Sequence, residues 1–224
     1  DYIDSYIGLG NLYLGLNNNR LALENYQKAI NLKPDFDFLY GTIIHIKLKM
    51  CSWDNLDIDL KILENKVLEL KKISLPFPLL TFNNSLELQK ISSETWARHE
   101  MSNQKNRIEP ILKKNFNKKI RIGYYSADFH EHPMSYLIVN LLELHDRSKF
   151  EIFGFYFGPN RKDEIYTNRV FKAFDKFIDV SLKSETEIAN ISRELHIDIA
   201  IDLMGYTKKN RFKIFVEKCA PIQV

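Results

Sequence analysis

Two short stretches carry residue types that can do chemistry. The first is Ser126-Ala127-Asp128-Phe129-His130-Glu131-His132-Pro133, in which an apolar run opens into a polar loop and Pro133 then suits the first turn of a helix. The free N–H groups of that turn are expected to face a cleft. His132, beside a positive helix end, can hydrogen-bond a hydroxyl or accept a proton near neutral pH; capping the helix is its structural alternative. Asp128 either stabilises the loop amides or faces a substrate. His130 and His132 could ligate a metal as a pair, but no third ligand cluster stands nearby in the sequence, so no metal is expected.

The second stretch is Ile201-Asp202-Leu203-Met204-Gly205-Tyr206-Thr207. Asp202 closes an otherwise apolar strand, where an unpaired carboxylate is costly, so it needs either a partner or a chemical task. Gly205 lets a backbone or ligand approach closely, and Thr207 with the amides after it can hold an anionic or hydroxyl-rich ligand. Lys208, Lys209 and Arg211 either face a phosphate or are solvated surface charge.

The elements that must position these loops follow from periodicity. Strand-like runs occupy Ile120 to Tyr125, Glu151 to Phe157, Lys176 to Val180 and Ile197 to Leu203. Helical patterns between and after them cover Pro133 to His145, Glu164 to Phe174, Glu185 to Leu195 and Lys209 to Lys218. Strand and helix alternating at this spacing predict right-handed crossovers and a parallel, Rossmann-like sheet, whose chemistry belongs at the carboxyl ends of the strands. No G-x-G-x-x-G follows the first strand, so the dinucleotide fingerprint of dehydrogenases is absent.

Upstream the pattern is helical. Two apolar faces lie either side of Gly15-Leu16-Asn17-Asn18-Asn19: Tyr6, Leu9, Gly10 and Tyr13, then Ala22, Tyr26 and Ala29, closed by Pro34. These match the tetratricopeptide pattern of roughly 34 residues. One repeat cannot bury its own face, so further repeats are expected before Asp1. Phe36 to Met50 begins another helical unit, and Asp57 to Lys72 reads as an amphipathic helix. Leu75 to Leu80, with Pro76 and Pro78, is expected to be an extended connector. A helix from about Ser85 to Glu100 and a polar link from Ser102 to Lys118 complete the approach. The domains expected are thus residues 1–50, a repeat region; 51–117, a helical transition and linker; and 118–224, the Rossmann-like lobe.

Composition narrows the classes. The chain has 224 residues, 45% of them hydrophobic, and a formal net charge of +3 with cationic and anionic residues interspersed, which argues against nucleic acid and membrane partners. Its two cysteines, Cys51 and Cys219, suggest neither a disulfide framework nor a zinc cluster, and fit a reducing, cytoplasmic compartment. No apolar run of about 18 residues and no secretory signal is visible.

Taken together, these motifs resemble the protein O-linked N-acetylglucosamine transferases, including their bacterial and SPINDLY-type relatives. The matching pieces are the repeat ending at Pro34, Cys51-Ser52-Trp53, Arg121 to Phe129, His132-Pro133, Phe150-Glu151-Ile152-Phe153, Asp202 to Thr207, and Ala220-Pro221-Ile222-Gln223. They span nearly the whole chain in the family's order. The resemblance implies an α + α/β chain, tetratricopeptide hairpins followed by the N-terminal half of a GT-B fold. It also implies an inverting, metal-independent, cofactor-free transfer of N-acetylglucosamine from UDP-GlcNAc to Ser or Thr of proteins. The runners-up are another donor, such as GDP-fucose or UDP-glucose, and a repeat scaffold without catalysis.

Carried over by residue, His132 corresponds to the family's active-site histidine and Gly205-Tyr206-Thr207 to a segment near sugar and acceptor. The resulting expectation is His132 and Asp202 in catalysis, with Asp128, Pro133, Gly205, Tyr206 and Thr207 against substrate. Protein acceptors would meet the repeats, and a homo-oligomer is compatible with this reading. Two departures stand out. The family's second lobe, with most nucleotide contacts, would follow Val224, so the chain by itself is expected to be a fragment with no transferase activity. Tyr136 also replaces a histidine found in some relatives.

Overall fold

The computed structural model describes residues 2–102, 119–159 and 165–224. Two compact units are present, Asp1–Asn103 and Gln104–Val224. The polar link expected from Ser102 to Lys118 lies, apart from its first residue, outside the described residues.

The first unit is helical: α1 (Tyr2–Gly15), α2 (Asn19–Leu32), α3 (Leu39–Lys49), α4 (Leu56–Leu68), α5 (Pro76–Leu80) and α6 (Leu86–Met101). The side chain of Asn18 accepts from the Leu21 amide and starts α2, ending the predicted turn. The small residues act as their types require: Ala22 and Ala29 are fully buried, and a Cβ on Gly10 would stand 2.3 Å from the Tyr26 ring. Tyr26 fills the space so left, and its hydroxyl donates to Asn11 Oδ1 at 2.7 Å. A second core gathers Ile44, Leu63, Val67, Leu79 and Leu88 from α3 to α6.

Residues 76–80 correct the sequence expectation, because they form the short helix α5 rather than an extended connector. Pro76 and Pro78 both fall within its first turn. The N–H groups they lack would have found no helical acceptor there, so the prolines cost the helix no bond.

The second unit is a five-stranded, wholly parallel sheet in the order β3-β2-β1-β4-β5. Its strands are β1 (Ile120–Ser126), β2 (Phe150–Tyr156), β3 (Lys176–Asp179), β4 (Ile199–Asp202) and β5 (Ile222–Gln223). The helices are α7 (Pro133–Leu144), α8 (Ile165–Ala173), α9 (Glu185–Glu194) and α10 (Lys213–Val216). Central parallel strands are covered on both faces, and the run of β1 divides accordingly. Ile122 and Tyr124 join Val139, Leu142 and Val170 on one face; Tyr125 joins Ile188, Ala189 and Ile214 on the other.

Two boundaries differ from the sequence reading. The helix expected over Lys209 to Lys218 contracts to Lys213–Val216, because left-handed backbone at Lys209 and Lys218 closes both of its flanks. β5 is a two-residue strand that the pattern does not announce; it pairs beside β4 through Ile199 and Ile222.

Candidate functional site

The strand order contains one reversal. From β1 the chain moves through β2 to β3 on one side, then crosses back to lay β4 on the other side of β1. In open α/β sheets the crevice at such a switch point is where ligands bind, outside the carboxyl ends of the two strands concerned. Here those ends are Ser126 on β1 and Asp202 on β4, and Tyr125 pairs with Asp202 in register. Both stretches singled out from the sequence therefore leave the sheet side by side.

The loop after β1 is fixed by its own side chains. Ala127 and Phe129 are fully buried, Phe129 against the Phe174 ring at 5.1 Å. The hydroxyl of buried Ser126 accepts from the Asp128 amide at 2.9 Å, and Ser135 donates to the Asp128 carbonyl at 2.6 Å. His132 adopts the extended backbone (φ −147°, ψ 147°) that a residue before proline prefers. Its Nδ1 accepts from the Met134 amide at 3.2 Å and its carbonyl from Tyr136 N, also at 3.2 Å.

That geometry revises the expectation for the helix end. Of the free amides of the first turn of α7, Pro133 has none and that of Met134 is taken by the His132 side chain, so the turn offers a ligand fewer donors than its position suggests. His132 is a cap, and its side chain is also 40% exposed. Asp128, for its part, leaves the loop amides to Ser126 and His132. Its carboxylate instead stands between two imidazoles, with His130 Nε2 at 3.6 Å from one oxygen and His132 Nδ1 at 3.9 Å from the other. The two rings meet edge to face, their centroids 5.5 Å apart. Among the described residues no group of three His, Cys, Asp or Glu side chains is arranged to hold a metal ion.

The loop after β4 is a compact turn. Asp202 accepts from the Met204 amide at 2.9 Å and also from the Gly205 amide, while burial pushes its carboxyl above the usual carboxylate range. Of the two alternatives set by its apolar strand, a partner is therefore present, and it is the backbone of its own turn. Gly205 sits at φ +51°, in the left-handed region that glycine enters freely, with open space where a Cβ would be. Thr207 donates its hydroxyl proton to the Met204 carbonyl at 2.7 Å, so toward a ligand that oxygen can only accept. Tyr206 is 37% exposed beside it.

Arg211 does not face a phosphate. Its guanidinium binds Glu185 Oε1 at 3.0 Å and the carbonyls of Val180 and Lys183, tying the start of α9 to the chain before α10. Lys208 and Lys209 are exposed.

What joins the loops is a residue to which sequence reasoning assigned no role. Met204 is 3% exposed, and its sulfur accepts from the Ala127 amide at 3.3 Å and from the Ser126 hydroxyl at 3.5 Å. His130, weighed from sequence only as a metal ligand, is the other such residue: it is buried and shares Asp128 with His132. The spacing of His130 and His132 on either side of one position, two and four residues after an aspartate, is the signal that could have marked the arrangement.

Comparison with known proteins points to one family. The profile of glycosyl transferase family 41 matches residues 86–224. The chain is 38% identical over 115 residues to a probable UDP-N-acetylglucosamine--peptide N-acetylglucosaminyltransferase SEC of Arabidopsis thaliana, covering 51% of this chain and 12% of that protein. A Caenorhabditis elegans UDP-N-acetylglucosamine--peptide N-acetylglucosaminyltransferase is 35% identical over 107 residues, 47% of this chain and 9% of the relative. A probable SPINDLY transferase of Arabidopsis thaliana is 33% identical over a further 107-residue match. The chain thus spans only about a tenth of these relatives' length. Among solved structures, a mutant O-GlcNAc transferase of Thermobaculum terrenum superposes with a TM-score of 0.65 over 99% of this chain and 43% of its own, at 21% identity, a likeness of fold.

Proposed function

The chain belongs to glycosyl transferase family 41, and from that membership we propose that it forms the acceptor-side half of a protein O-glycosyltransferase. The reaction is transfer of N-acetylglucosamine from UDP-GlcNAc to a Ser or Thr hydroxyl of a protein, with inversion and without a metal. The observation that carries the reading is the convergence of the His132 loop and the 202–207 turn on one crevice at the switch point of the sheet. A hydroxyl group held there meets an imidazole that can hydrogen-bond it, next to a carboxylate that can take charge from that imidazole. Orientation of the acceptor in line with the anomeric carbon is the main rate contribution such a site can make.

His132 and Asp202 are the proposed catalytic pair. Asp128, Pro133, Gly205, Tyr206 and Thr207 shape the substrate side. The diphosphate that departs needs cationic or amide partners. Of the sequence candidates, Arg211 is committed to internal contacts and Lys208 and Lys209 are exposed; most of these partners are proposed to come from a further lobe, and the 224 residues by themselves to carry out no transfer. Unpaired Cys51 and Cys219 support work in the reducing cytoplasm, and no helix among the described residues is long and apolar enough to cross a membrane.

The test is sugar transfer to a Ser/Thr-containing protein by the natural protein that carries this chain, offered UDP-GlcNAc, UDP-glucose and GDP-fucose separately. Labelling from UDP-GlcNAc alone supports the reading. Labelling from another donor keeps the crevice and changes the sugar, and absence of labelling from all three by folded protein overturns it.

A further inference from the structure

In the structure the His132 ring meets a partner that cannot change its role. A backbone N–H only donates, so the Met134 amide at 3.2 Å requires a lone pair on Nδ1, and the neutral ring then carries its proton on Nε2. In that state His132 offers the crevice a donor, not a base. Asp128 stands at the same nitrogen with the opposite demand. Its carboxylate oxygen, 3.9 Å from Nδ1, only accepts, and closing that gap needs Nδ1 to carry a proton.

Among the described residues the side chain of Asp128 has no competing duty. Its loop-stabilising bonds run through its backbone, to Ser126 and Ser135, and among the described residues its carboxylate stands beside the two imidazoles. The second imidazole cannot release it toward solvent, because His130 is 7% exposed and donates from Nδ1 to the Glu131 carbonyl at 3.3 Å. That donation leaves neutral His130 with a lone pair on Nε2, facing the other Asp128 oxygen. A carboxylate flanked by two nitrogen lone pairs gains by having one nitrogen turn donor, and His132 is the ring with the freer, partly exposed position.

We infer that Asp128 is the positioning residue that sets which nitrogen of His132 meets the crevice. With the Met134 amide as partner, His132 presents Nε2–H and binds a hydroxyl oxygen as a donor. When Asp128 takes the ring, the proton leaves Nε2 to water, Nδ1 gains one from water and donates it to Asp128, and Nε2 is freed as an acceptor. The Met134 amide then turns to water. One residue thereby serves both to bind an acceptor hydroxyl and to receive its proton, and the choice is made by Asp128. The inference deepens the transferase reading, on which its catalytic meaning rests, but the placement of the proton is a property of this chain by itself.

The experiment is long-range proton–nitrogen correlation NMR of the 224-residue chain with ¹⁵N-labelled histidine, at a pH where free imidazoles are neutral. It compares the native sequence with Asp128→Asn and Asp128→Ala. Neither substitution touches the backbone bonds that hold the loop, and the amide and methyl resonances check that the fold is kept. The native chain is expected to populate both His132 tautomers; Asp128→Ala is expected to lose the Nδ1–H form, for which no acceptor then remains, and Asp128→Asn, whose neutral amide oxygen is a weaker acceptor than a carboxylate, to reduce it. An unchanged His132 pattern in both folded variants overturns the inference, as does a native chain with no Nδ1–H form. Because this readout needs no turnover, failure of sugar transfer with the tautomer loss intact would remove the transferase reading and leave the proton placement standing.

Discussion

The Ala127 amide donates to the sulfur of Met204 across 3.3 Å, and this contact helps fasten the loop leaving β1 to the loop leaving β4. The residues are 77 apart in sequence, and the sulfur also receives the Ser126 hydroxyl. A thioether is a weak acceptor, but it is unbranched and fills an irregular gap well, which is what two irregular loops need between them.

Replacing Met204 separates packing from acceptance. Met204→Ala is expected to lower stability by about 2–5 kcal/mol, through lost burial and a residual cavity. Met204→Leu keeps most of the volume but leaves the buried Ala127 amide without its acceptor, a loss of about 1–3 kcal/mol. Urea denaturation of both variants checks the order. A leucine variant as stable as the native chain would show that the sulfur contributes volume only.

His132 caps α7 and faces the crevice, and the two roles can be pulled apart. His132→Ala removes the cap and is expected to cost about 0.5–2 kcal/mol. Asparagine is among the best capping residues, so His132→Asn should recover most of that stability. If the imidazole does the chemistry, sugar transfer by the natural protein stays lost in both. Recovery of transfer with asparagine would reduce His132 to a structural residue.

Asp202 gives a pH signature. Burial raises its folded carboxyl above the ordinary value. A raised folded value means stability that is fully present below the unfolded value of about 3.9 and is lost as pH rises through the folded one. At neutral pH the buried charge is therefore a cost. Asp202→Asn, which retains an oxygen for the Met204 amide, is expected to be more stable than the native chain near neutrality and equal to it in acid. Denaturation midpoints across that range measure the difference. Loss of transfer in the stabilised variant would mark the charge as kept for catalysis.

The helical unit is tested at Gly10, where any side chain collides with the Tyr26 ring. Gly10→Ala gains helix propensity, worth about 1 kcal/mol in an exposed helix, but it must displace Tyr26, whose hydroxyl binds Asn11. Overpacking of this kind costs about 1–3 kcal/mol. Net destabilisation, with loss of the Tyr26 contact to Asn11 seen by NMR, is expected. A stabilised variant would mean that α1 and α2 pack less closely than their sequence pattern implies.

Much of this was legible from local sequence. The doubly apolar run Ile120 to Tyr125, the alternation of strand and helix after it, the proline that opens α7 and the turn at Gly205 are each set by neighbours within a few residues. Backbone preferences and burial periodicity act over that range, so the parallel sheet and the loops at its strand ends could be read directly. Local reading failed where a rule has a positional exception: Pro76 and Pro78 forbid a helix interior but not a first turn.

The tertiary structure decided partners. Whether Asp128 serves the loop amides or the imidazoles depends on Ser126 and His132 having taken the amides first. Arg211 turns inward because Glu185 and two carbonyls converge from elements more than two dozen residues away. The switch point itself arises from the order of strands, which no single stretch encodes. A side chain's type fixes what it can bind, but which groups come within reach is settled only when distant segments pack, and at this crevice those segments are the two loops that Met204 holds together.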